Sequence, residues 1–142
     1  MTAETRQLAL NPALGRVDDV DLAVAYNFPD GVSSWLRATF VSSVDGAATL
    51  DGRSGGLGNA TDQRIFALSR AAADVVLVGA GTVRVEGYGP AEESAEWRTL
   101  RGSRPPTPPV AVVSRCLDLD LSAPLFTDAP SYARTLVLTT ED

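Results

Sequence analysis

Asp74-Val75-Val76-Leu77-Val78-Gly79-Ala80-Gly81-Thr82-Val83-Arg84-Val85-Glu86 is the stretch that decides the fold. An apolar run ends in a Gly-x-Gly-Thr turn and passes straight into a helix-prone segment. Unbroken Val and Leu before a glycine is how a parallel strand covered on both faces reads. The turn aims free backbone N–H groups and the Thr82 hydroxyl at one spot, an arrangement that suits a phosphate. A second reading stays open, in which the glycines only let the helix approach the strand. A Rossmann fingerprint is disfavoured, because Arg84 stands where G-x-G-x-x-G needs its third glycine.

Toward the N-terminus, Thr61-Asp62 marks a helix start and Ile65, Phe66, Leu68, Ala72 and Ala73 share one face, which predicts a helix through Ala73. Ser43–Asn59 carries two Asp-Gly pairs, then Gly55-Gly56 and Gly58. That is a loop of tight reversals with backbone exposed for close approach, or else a plain surface hairpin. Before it, Trp35–Ser42 (WLRATFVS) turns β-rich and is expected to be the first central strand, giving a right-handed strand–helix–strand unit with the run at Asp74. Residues 1–34 show no sustained period and are read as a leader packing along the body.

Toward the C-terminus, Gly87–Pro109 holds three Arg and five Pro without a period and is predicted to be an exposed connector. Val110–Ser114 and Thr135–Thr139 read as strands, Pro124–Thr127 as a brief element, and Cys116–Leu121 as a short strand or a loop lying on the sheet. The fold class is therefore α/β, a largely parallel central sheet flanked by helices.

Composition narrows the chemistry. The chain has 142 residues, 44% of them apolar, with a single Cys and no His. One domain with a real core is the default at this size. Internal disulfides and the usual zinc sets drop out, and so do Ser-His and Cys-His nucleophile pairs. A reaction whose hard step belongs to a cofactor fits such a chain. The net charge is −6 and the twelve basic residues are all Arg, scattered singly, which argues against a nucleic-acid partner. No membrane span or secretory start is legible, so a cytoplasmic location is expected.

Val41-Ser42-Ser43-Val44-Asp45-Gly46, then a helix with Arg70, then Val75–Pro90 (VVLVGAGTVRVEGYGP) resemble the pyrimidine reductases of riboflavin biosynthesis, within the dihydrofolate-reductase-like superfamily. The resemblance runs from about Trp35 to Thr140 and lies in the order and spacing of three separate segments. It implies that residues 35–142 are the first part of a dihydrofolate-reductase-like domain, since similar reductases continue through a second half with a Gly-Gly-Pro type turn. It implies NADPH as cofactor and reduction of 5-amino-6-(5-phosphoribosylamino)uracil, with a homodimer as the working unit.

By the same resemblance the cofactor contacts are Ser42, Gly79, Gly81, Thr82 and Glu86, the last an acidic position where relatives often carry Asp. Ser114 and Arg115 end the next strand, where a guanidinium suits the 2′-phosphate of NADP. Asp45 and Arg70 fall at substrate-facing positions, a pyrimidine or pterin being the small-molecule partner, and Asp62 falls where dihydrofolate reductases carry the carboxylate that assists protonation. Each has a plainer reading beside it: Asp45 as a turn residue bonding its own loop, Arg70 and Arg115 as surface charges, and Asp62 as a helix-start charge. The Gly-rich 55–59 segment departs from the polar and aromatic contacts of the riboflavin enzymes. Dihydrofolate reduction on the same scaffold, and a nucleotide-binding or structural domain without turnover, are the competing accounts.

Overall fold

The structure, a computed structural model, describes residues 19–141. The leader expected over 1–34 lies outside the described residues up to position 18, and so does Asp142. Three parallel strands form an open sheet in the order β1 (Val76–Gly79), β2 (Val110–Val113), β3 (Leu136–Leu138). The register pairs Gly79 with Val113 and Val113 with Leu138, so all three strands finish along one edge. The architecture is the α/β class read from the sequence.

Helices α1 (Asp19–Tyr26), α2 (Ala60–Ala72), α3 (Ala80–Glu86) and α4 (Pro124–Thr127) accompany the sheet, with 3-10 turns at Arg98–Arg101 and Ser131–Ala133. Asn59 caps α2: its side-chain oxygen accepts the Thr61 and Asp62 N–H groups at 2.9 and 3.0 Å. The cap expected at Thr61-Asp62 therefore lies two residues earlier, on Asn59, whose short side chain reaches the free donors. α3 ends at Gly87, whose φ of +66° returns its N–H to the Val83 carbonyl, and this left-handed position favours glycine.

Two apolar clusters hold the body together. Val78, Ala80, Val83, Ala91, Val110, Val112 and Leu125 pack α3 and α4 against the sheet, with Tyr88 and Phe126 at the rim. Leu22, Leu68, Ala71 and Trp97 join α1, α2 and the 3-10 turn. β2 is the strand covered on both faces: Val110, Ala111 and Val112 are all buried. β1, expected to be doubly covered, is covered on one face only: Val78 packs under α3 and α4, and Leu77 on the opposite face is 54% exposed.

Two further expectations are corrected. Trp35–Ser42 is not a strand of the sheet, and Leu36 and Phe40 are 80% and 90% exposed. A strand needs a ladder partner. This segment is tied instead to the end of α1, where Arg37 Nη1 donates to the Tyr26 carbonyl at 2.6 Å and the guanidinium lies 5.1 Å and 5.4 Å from the Tyr26 and Phe28 ring centres. With it goes the strand–helix–strand unit through α2.

Gly87–Pro109 is not simply exposed either. Trp97 is 2% exposed in the α2 cluster, and Arg101 is buried, donating to the Pro105, Ala71 and Ala73 carbonyls. Arg104 Nη1 adds the Ala72 carbonyl and the Asp74 carboxylate at 2.8 and 2.9 Å. Together they cover the carbonyls that the last turn of α2 leaves without helical partners. Burial first, and the neighbouring Arg104 charge second, push the Arg101 pKa down from its ordinary value.

Candidate functional site

The edge where the parallel strands end is the first candidate surface. In open α/β sheets this is the side from which ligands are held. Gly79 is the last residue of β1 and the N-cap of α3, with φ −76° and ψ 146° and no side-chain cap on the first N–H groups. Gly79, Gly81 and Thr82 are all exposed. A methyl group built on Gly79 or Gly81 would meet nothing within 4 Å, so the space before the turn is open. On the next strand Ser114 is buried, its N–H donating to the Leu138 carbonyl at 2.9 Å, while Arg115 is exposed.

α3 is tied on two sides to neighbouring loops. Arg84 Nη1 donates to the Asp118 carbonyl at 2.7 Å, so the position that argued against a Rossmann turn holds the chain that follows β2. Glu86 Oε1 accepts the Ser54 N–H at 2.8 Å. That bond first, then the Ser54 side chain beside the same carboxylate, hold its pKa below the ordinary value, with Arg53 nearby adding least. Glu86, expected as a cofactor contact, thus holds the Gly-rich loop, and its partner Ser54 gave no sign in the sequence.

The second candidate surface is a cleft of about 660 Å³ between the end of α1, residues 37–40 and the first turns of α2. Tyr26, Arg37, Phe40, Asn59, Asp62 and Ile65 are among its walls. Its size is that of an ordinary small-molecule pocket, roughly 300–1,000 Å³. Asp62 is half-buried and folds back over Gly58, where any side chain would collide with its Oδ2 at 2.5 Å. Gly58 lets the Asp62 carboxylate fold over the loop, and a side chain there would turn that carboxylate away.

Asp45 sits in the Ser43–Ala47 turn, its carboxylate accepting from the Ser43 hydroxyl. Gly46 at φ +88° completes that turn. The Ser43 bond first, then backbone bonds within the turn, hold the Asp45 carboxyl below its usual range. Ser42 is exposed just before it. Arg70 lies near the end of α2 with its guanidinium 4.3 Å from the Phe66 ring centre and 5.1 Å from that of Tyr88. Its Nη2 donates to the Tyr88 hydroxyl at 2.6 Å, and its Nε is buried without a partner. Tyr88, passed over in the sequence, stands out only through this clamp.

The candidate residues therefore fall into groups rather than one pocket. Gly79, Gly81, Thr82, Ser114 and Arg115 share the strand-end edge, Asp62 stands in the cleft, and Arg70 is clamped by Tyr88. The 43–59 loop runs between them: it starts at the Asp45 turn, touches α3 at Glu86 and ends at Asn59 in the wall of the cleft.

Comparison with known proteins adds the family. The model of the RibD C-terminal domain matches residues 34–142. A pyrimidine reductase-like protein of known structure from Corynebacterium diphtheriae is similar at 36% identity and a TM-score of 0.65. The match takes in 72% of this chain and 43% of that one, so the chain spans less than half the length of that relative. No curated protein matches.

Proposed function

The chain belongs to the RibD C-terminal domain family, and from that premise we propose that it serves an NADPH-dependent reductase of the riboflavin-biosynthesis type, acting on a phosphoribosylamino-pyrimidine. The observation that carries this reading is the strand-end edge, where β1 and β2 finish together at the Gly79–Val113 pair and lead into the open Gly79–Thr82 turn on one side and Ser114-Arg115 on the other. The residues present fit the cofactor: an exposed row of unpaired N–H groups for a diphosphate, and a guanidinium one strand away for the 2′-phosphate.

When bound, NADPH supplies the hydride. The chain's own residues do the rest. The Gly81 and Thr82 N–H groups and the Thr82 hydroxyl hold the diphosphate, and Arg115 with Ser114 selects the phosphorylated ribose. Asp62 in the cleft offers a carboxyl to the substrate, while Asp45 stays bonded within its own turn and Arg70 within its Tyr88 clamp, outside the walls of that cleft. Orientation is the protein's main contribution to such a transfer.

The test is a titration of the intact chain with NADPH and NADH, followed by fluorescence. Saturable binding that favours NADPH is expected, and Arg115→Ala should remove most of that preference, a loss on the order of tenfold for a charge-assisted contact. Equal affinity for the two dinucleotides in the unsubstituted chain would overturn the role of Arg115. Oxidation of NADPH with dihydrofolate but not with the pyrimidine would move the activity to the rival substrate.

A further inference from the structure

The loop between the Asp45 turn and α2 joins the two candidate surfaces, yet its sequence is poor at holding a shape. Gly55, Gly56 and Gly58 lose more conformational freedom on ordering than any other residue type. Its first part is self-supporting. Leu50 and Arg53 exchange backbone hydrogen bonds of 2.8 and 3.0 Å around Asp51 and Gly52, both at positive φ, which is the reversal a two-residue hairpin favours. Leu57 N–H then returns to the Ser54 carbonyl at 3.0 Å, and Leu50 packs over Gly56. All of these contacts stay inside the loop. Ser54 is where the loop reaches another element: its N–H donates to Glu86 Oε1 at 2.8 Å, and its side chain stands by the same carboxylate.

The place of that bond gives it a consequence for the turn. Glu86 is four residues beyond Thr82 within α3, so the two side chains rise from one helix face about one turn apart. A group docked on Glu86 therefore stands one helical turn from Thr82. A carboxylate is also a strong acceptor for a backbone N–H, and the bond joins residues 32 apart in the chain.

We propose that Glu86 is a positioning residue: it holds the Gly-rich loop against the face of α3 that carries Thr82, making the loop a second wall of the nucleotide site, and it acts on the dinucleotide through Ser54 rather than by touching it. This rests on the reductase reading for the identity of the ligand, but the loop anchor itself does not. Glu86→Gln keeps an oxygen acceptor at the same reach, whereas Glu86→Ala removes it, so the pair separates anchoring from charge.

The Arg53–Ser54 peptide bond, whose N–H is the one held, is also a trypsin site, which gives a readout independent of activity. Limited trypsin digestion of the intact chain, with fragments identified by mass, should cut at Arg53 about tenfold faster in Glu86→Ala and within about twofold of the unsubstituted rate in Glu86→Gln. NADPH affinity should fall about fivefold in the alanine variant and stay within about twofold in the glutamine one. Amide exchange on the unsubstituted chain checks the anchor without any variant: the Ser54 N–H should exchange at least about tenfold more slowly than those of Gly55 and Gly56.

Equal cutting at Arg53 in the unsubstituted and alanine chains, or a Ser54 amide as fast as its neighbours, overturns the proposal. So does a glutamine variant that loses NADPH as badly as the alanine variant while the Arg53 bond stays protected, because that is how a residue touching the ligand behaves. An unsubstituted chain that does not bind NADPH overturns the reductase reading instead, and the cleavage ratio still decides what Glu86 does.

Discussion

Val110–Val113 and Trp35–Ser42 are both short, apolar and β-prone, the first lying in a stretch that reads as a short strand and the second reading as the first central strand; one is the core of the sheet and the other is not in it. β2 has β1 on one side and β3 on the other, and Val112 is wholly buried. Trp35–Ser42 has no strand beside it among the described residues, and Phe40 stands 90% exposed. β1 falls between the two, with one neighbour and one covered face. The difference teaches that side-chain composition reports strand preference, while pairing and burial are set by the strands and helices that the rest of the chain places around it.

The sharpest way to break that comparison is to truncate a large side chain in each region. Leu125, wholly buried where α4 meets the sheet, should cost about 2–5 kcal/mol as Leu125→Ala, from lost transfer energy and the cavity left behind. Phe40→Ala removes a larger side chain that buries almost nothing and should change stability by less than about 0.5 kcal/mol. Urea unfolding of both variants decides it. A loss above about 2 kcal/mol for Phe40→Ala would mean that the segment is covered in solution.

A smaller effect is expected where charge rather than apolar area does the holding. Arg101 is buried among the Ala71, Ala73 and Pro105 carbonyls, and Arg101→Ala strands those acceptors away from water. Leaving them unpaired should cost about 1–3 kcal/mol by the same measurement. Arg101→Lys recovers only part of this, since one ammonium does not match a planar fork of donors. Full recovery by lysine would show that charge alone matters at the end of α2.

These cases also mark what the sequence made legible. The β1–turn–α3 run, β2 and β3 were plain, because continuous Val and Leu closed by glycine or polar residues has few other meanings. The spacing of that run and of 41–46 was enough to indicate the family that the comparison with known domains bears out. The connector 87–109 was misread because its five Pro and three Arg look solvated, whereas Arg101 is buried by bonds to α2 backbone that no local pattern encodes. At the candidate site the glycines were legible through their turn chemistry. The Glu86–Ser54 and Arg70–Tyr88 contacts were not, since they join residues 32 and 18 apart whose types are common on any surface.

Asn59 gives the smallest effect and tests the boundary between the two regions, since it ends the Gly-rich loop, caps α2 and walls the cleft. Its side-chain oxygen satisfies two of the four N–H groups that open the helix. Asn59→Ala should lose about 1 kcal/mol in urea unfolding, and Asn59→Asp should stay within a few tenths, because the aspartate caps equally well and its charge suits the helix start. The two variants part company if α2 begins where the sequence placed it: a true cap at Thr61 would leave Asn59→Ala as harmless as Asn59→Asp. A cap that works only from Asn59 ties the first turn of α2, and Asp62 within it, to the end of the same loop that Glu86 holds at its middle. The strand-end edge and the cleft are then linked by one stretch of chain fastened at two points.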